Sequence, residues 1–161
     1  MRKARIAFLA LVPALLPAQT APRPLLETSG TFVGLSVGDI EASTKWYVEK
    51  LGLRVTHDFP RTDQTRAAAR MLQGGGLSVE LVQQDEAKAL SAVLPAGRGA
   101  LYLHGIFKFG VSVNDFDATL AAVRARGIEI AIGPFAKGAD QPANMIIRDN
   151  SGNYIQISGK P

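Results

Sequence analysis

The chain has 161 residues, 47% of them hydrophobic, no cysteine, and a formal net charge of +4. That length supports one domain with its own core, and a chain without cysteine must hold that core together without disulfides. Arg2, Lys3 and Arg5 supply three of the charges, so the remainder carries +1 (4 − 3); it has no Lys/Arg run with interleaved aromatics, which argues against nucleic-acid binding.

Met1 to Arg5 is a basic stretch, Ile6 to Leu16 is apolar apart from Pro13, and small residues follow at Ala18 and Ala21. This is the layout of a secretory signal peptide, too short and too weakly flanked for a membrane span. We assign residues 1–18 to it, with Ala21 as a second cleavage candidate and a retained anchor as the competing reading. Export to a periplasm or the exterior is the expectation, with no stable membrane span after cleavage. Residues 19–29, with Pro22 and Pro24, read as a tether, and residues 30–159 as the folded domain.

In the domain, Val33, Leu35 and Val37 alternate with Phe32, Gly34 and Ser36, the period-two pattern of a half-buried strand. Asp39 is placed to cap a helix whose apolar stripe is Ile40, Thr44, Tyr47, Val48 and Leu51, and Gly52 is placed to end it. Strands are predicted over 53–59, 65–72 and 77–83, with Gly74 to Gly76 as a hairpin turn rather than a phosphate loop. A short helix is predicted over 85–93. Phe109, Val111 and Val113 then alternate as the first strand did. Asn114 or Asp115 caps a helix bearing Phe116, Leu120 and Val123, closed by Gly127, and strands follow over 128–132, 145–148 and 154–157.

The second set repeats the first. Gly34, Ser36, Val37, Asp39 and Ala42 return as Gly110, Ser112, Val113, Asp115 and Ala118, always 76 residues on (110 − 34, 115 − 39). Each unit is βαβββ, with modules at 30–84 and 104–159. One such unit leaves a face of its sheet bare, so two are expected to form a cup-shaped curved sheet with helices outside, an α+β fold closed within one chain or across a homodimer.

Val33-Gly34-Leu35-Ser36-Val37 followed by Asp39, the helix with Trp46-Tyr47 and Leu51-Gly52-Leu53, and the ending Asp149-Asn150-Ser151-Gly152-Asn153 together resemble the vicinal oxygen chelate superfamily of glyoxalases, bleomycin-resistance proteins and extradiol dioxygenases. Asn150 stands where the family's closing hairpin has Pro. The resemblance covers residues 30–159 and implies the fold, but not one function, because the superfamily includes lyases, isomerases, epimerases, dioxygenases and plain binders. It also implies that metal-dependent members carry ligands at the start of each unit's first strand and on its last strand.

Strand parity finds those positions here. Val79 and Leu81 face the helix, so Glu80 faces the cup, as Phe32 does; adding 76 gives Lys108 and Gln156. Phe cannot ligate, and Lys, protonated at neutral pH, repels a cation. The expected arrangement is the Lys108 ammonium in place of a metal, paired with Glu80, and Gln156 bonded to that pair or to a ligand. Phe32, Phe107 and Tyr154 are candidates for an aromatic wall. Arg66, Arg70 and Arg148 either reach an anionic group or are solvated strand ends. His104 is a rim candidate and His57 reads as structural.

The expectation is therefore an exported protein that binds a small molecule through Phe32, Glu80, Lys108, Tyr154 and Gln156, without a cofactor. The alternative is a metal-dependent glyoxalase-like lyase or isomerase, or a dioxygenase. It would use Glu80 as base or ligand and hold Zn, Ni, Mn or Fe through Glu80, His104 and Gln156.

Overall fold

The structure is a computed structural model that describes residue 25 and residues 28–160. The proposed signal peptide lies outside the described residues, and of the tether only residues 25, 28 and 29 lie within them. The elements are β1 (Val33–Ser36), α1 (Ile40–Leu51), β2 (Arg54–Phe59), β3 (Ala67–Gly74), β4 (Leu77–Gln84), α2 (Leu90–Val93), β5 (Phe109–Ser112), α3 (Phe116–Ala125), β6 (Glu129–Phe135), β7 (Asn144–Arg148) and β8 (Tyr154–Ser158). The fold is thus the expected α+β arrangement of two βαβββ modules.

The strands lie in the order β1-β4-β3-β2 in one sheet and β5-β8-β7-β6 in the other. In each, the first strand runs parallel to the last, which requires the helix as the crossover between them. The 76-residue step is a register identity: Gly34 pairs with Glu80, and Gly110 with Gln156.

Local chemistry sets the helix ends. The Asp39 carboxylate accepts the Ala42 N–H at 2.9 Å, and Asp115, rather than Asn114, accepts that of Ala118 at 2.9 Å. Gly52 closes α1 in the left-handed region at φ 73°, where glycine is unstrained.

The helix-facing sides of the sheets form one core. Leu72, Val79 and Leu81 in the first sheet and Met145 and Ile147 in the second are fully buried. Burying each such side chain contributes about 1.5–3 kcal/mol.

Four details depart from the sequence expectation. The helix over 85–93 shrinks to α2, because the Asp85 N–H bonds the Arg66 carbonyl and carries the β3–β4 ladder past its end. β3 starts at Ala67 rather than 65, since the Thr62 and Thr65 hydroxyls bond each other at 2.9 Å in a turn and Arg66 adopts φ 53°. β6 extends to Phe135, which pairs with Asn144. On α1, Val48 is 39% exposed while Ser43 is fully buried. Ser43 faces the turn between β7 and β8, where its hydroxyl meets those of Ser151 and the Asn150 amide, each at 3.2 Å.

That turn is one place where the modules meet. Tyr47 on α1 donates its hydroxyl to the Asp149 carboxylate at 2.9 Å in a buried bond, and the same carboxylate accepts the N–H groups of Ser151 and Asn153. Burial, and then the Asp149 charge, push the Tyr47 phenol well above its ordinary range.

Candidate functional site

Register lays out the concave face of each sheet. Gly34, Glu80, Met71 and His57 form one cross-strand row on the face opposite Val79 and Leu81. Gly110, Gln156, Ile146 and Ile132 form the matching row in the second sheet. Glu80 and Gln156 are half-buried. The Glu80 carboxylate lies over Gly34, with Oε2 only 3.4 Å from where a methyl group on that glycine would sit. Phe32, just before β1, is 64% exposed, and Lys108, just before β5, is half-buried.

The expected Glu80–Lys108 ion pair is not formed: no carboxylate lies within 4.0 Å of the Lys108 ammonium among the described residues. Strand parity assigns a residue to a face but does not say how two sheets are placed. Among the described residues β1 and β5 are both edge strands, bonded only to β4 and β8, and the two sheets do not join there. The Lys108 ammonium instead lies 5.2 Å above the Phe107 ring.

A cleft of about 980 Å³ runs between the modules, under the linker that carries α2. Its walls come from the end of β1 and start of α1, from the linker, and from the β7–β8 turn. Of the residues singled out in the sequence, His104, Lys108 and Tyr154 line it, together with Phe107. Phe32, Glu80 and Gln156 do not. His104 thus lines the cleft and Glu80 does not, and no group of three or more His, Cys, Asp or Glu stands together among the described residues.

The aromatic wall is built from two rings. Phe107 meets Tyr154 edge to face at 5.9 Å and 70°. Arg148 donates to the Tyr154 hydroxyl at 3.1 Å and pairs with Glu129 at 3.0 Å. Phe32 is not part of this wall.

The other two arginines are also engaged. Arg70 donates to Glu41, Asp58 and Thr44 on the helix side of the first sheet. Its hydrogen bonds, and then its charge, hold the Glu41 carboxyl below its ordinary range. Arg66 pairs with Glu86 at 2.6 Å. Arg61 grips Asp85 at 2.7 Å and holds that carboxyl below its ordinary range, chiefly through the hydrogen bond.

Sequence reasoning missed two positions. His57 lies in the row of Glu80, because a bulge between Val55 and His57 reverses the parity of β2 beyond it. Its ring stacks on Phe59 at 6.2 Å. Lys88 lines the cleft from the linker, a segment for which the 76-residue repeat has no counterpart. Nothing in the alternation of residues announces either.

Residues 31–157 match the model of the Glyoxalase/Bleomycin resistance protein/Dioxygenase superfamily. The chain belongs to that family. Among solved structures, a glyoxalase family protein from Enterococcus faecalis is similar over 83% of this chain and 98% of its own, at 18% identity and a TM-score of 0.60. A glyoxylase/bleomycin resistance protein/dioxygenase domain from Frankia sp. is similar over 86% and 100%, at 18% identity and 0.61. Glyoxalase I from Zea mays, a variant, is similar over 80% of this chain and 44% of its own, at 17% identity and 0.59. At these identities the likeness is one of fold. No curated protein sequence matches the chain.

Proposed function

We propose that this family member is an exported small-molecule binding protein that works without a metal, with a second copy of the chain completing the cup. The observation that carries the reading is the donor set at the four positions the repeat makes equivalent. Phe32 offers no lone pair, Lys108 is cationic at neutral pH, and Gln156 offers only a weak carbonyl donor. Glu80 alone is a good ligand, and one carboxylate beside a cation does not hold a divalent ion. These residues do not fit a metal.

The edge positions of β1 and β5 support the second copy, since among the described residues each offers a strand edge without a second neighbour. Export rests on the residue pattern of the first 18 positions. Among the described residues no helix is long and apolar enough to cross a membrane.

The test is the melting temperature of the mature chain with Zn, Ni, Mn or Fe added and again with a chelator. The reading expects no shift in either direction; a rise of several degrees with one ion, abolished in Glu80→Ala, contradicts it.

A further inference from the structure

We propose that the cleft between the modules, which Lys108 and Tyr154 reach from the concave side of the second sheet, binds an organic anion with a planar apolar body. Lys88 and Lys108 would hold its charge and Phe107 and Tyr154 its ring.

Charge in the cleft is the first argument. Its formally charged lining residues are Asp39, Asp85, Lys88 and Lys108. Both carboxylates are already engaged: Asp39 caps α1, and Asp85 is gripped by Arg61, with the Arg66 guanidinium 3.7 Å from the same carboxylate. Neither ammonium has a carboxylate within 4.0 Å among the described residues. With Arg61 answering the Asp85 charge, the two ammoniums outweigh Asp39, so what the cleft offers a ligand is positive charge from two flexible point donors.

The walls supply the second argument. Leu90, Leu103 and Ile106 line the cleft and yet are 37%, 48% and 86% exposed. Apolar side chains converging on a concave surface beside a few polar groups are the usual composition of a small-molecule pocket. The edge-to-face pair of Phe107 and Tyr154 presents ring surface among them. Gly99 places the linker against this wall, 3.7 Å from the Tyr154 hydroxyl to the nearest point a side chain could start. A volume of about 980 Å³ admits a molecule of a few rings.

This site rests on the reading of the chain as a small-molecule binder, but it fails separately. A tightly bound metal contradicts that reading and leaves anion binding measurable; charge-blind binding contradicts this site alone.

The test uses the fluorescent anion anilinonaphthalene sulfonate and its uncharged relative phenylnaphthylamine, each titrated into the mature chain. The expected result is saturable binding of the sulfonate at one per chain, weakened several-fold by Lys88→Gln or Lys108→Gln and at least about tenfold by both, with Lys→Arg at the same positions retaining it. The neutral probe should be unaffected by the lysine changes and weakened by Phe107→Ala. Thermal melts of each variant show whether it folds, and the Lys→Arg pair keeps the comparison informative if a Gln variant does not. Equal affinity for the two probes, or sulfonate binding that the double Gln variant leaves unchanged, overturns the proposal.

Discussion

Lys50 and Arg126 stand 76 residues apart, and each donates its side chain to the other's backbone carbonyl, the Arg126 bond at 2.7 Å. The sequence repeat is therefore also a spatial one, with a local two-fold relation between the C-terminal ends of α1 and α3. A helix end has unpaired carbonyls and the negative pole of its dipole, and each cation answers the other helix's need. Both bonds are solvent-accessible. Lys50→Met and Arg126→Met should each lower stability by only about 0.5 kcal/mol, and the double should depart from the sum, because the two residues are in direct contact. Urea midpoints of the singles and the double check this; no change in either single would remove the contact from the interface.

Tyr47 and Asp149 make the buried counterpart of that contact. Tyr47→Phe leaves Asp149 one donor short and should cost roughly 1–3 kcal/mol. The raised Tyr47 pKa fixes the pH dependence. An unfolded tyrosine ionises near 10.0, whereas the folded phenol stays protonated. Its contribution is fully present below that pH and is lost as the pH climbs above it. Urea midpoints taken across the alkaline range should fall more steeply for the native chain than for Tyr47→Phe. Equal slopes would mean that this phenol is not buried against Asp149.

The acid limb has the opposite sign. Glu41 and Asp85 are held below their ordinary values of 4.5 and 3.8 by Arg70 and Arg61. Their contributions are present above those values and disappear as the pH falls through the lowered ones. Because both groups are exposed, the effect is small. Arg70→Gln should flatten the loss of stability below pH 4.5, read from urea midpoints in acid, and an unchanged slope would count against the Arg70–Glu41 bond.

Export makes its own prediction. The full chain expressed in a secreting bacterium should yield a mature form beginning at residue 19 or 22, found outside the cytoplasm and seen by intact mass. A chain retained at full length in the membrane fraction supports the anchor instead.

The parts of the fold that could be read from the sequence are those set by neighbours along the chain. Asp39 and Asp115 cap their helices by accepting an N–H three residues on, Gly52 ends one in a conformation it adopts freely, and alternation alone puts Glu80 and Gln156 on concave faces. What escaped depends on distant partners. The burial of Ser43 comes from Ser151, 108 residues on. His57 changes face through a bulge that no residue type marks. The placement of Lys108 against Phe107 rather than Glu80 depends on how two sheets are set, and parity is silent about that. Lys88 lies in the one segment the repeat does not duplicate.

The central claim is that Lys108 and Phe32 leave the family's metal positions unable to hold an ion. Elemental analysis of the purified mature chain tests it most directly. The claim predicts Zn, Ni, Mn and Fe all far below one per chain, and no gain of metal in Lys108→Ala; one tightly bound ion per chain, lost in Glu80→Ala, would contradict it.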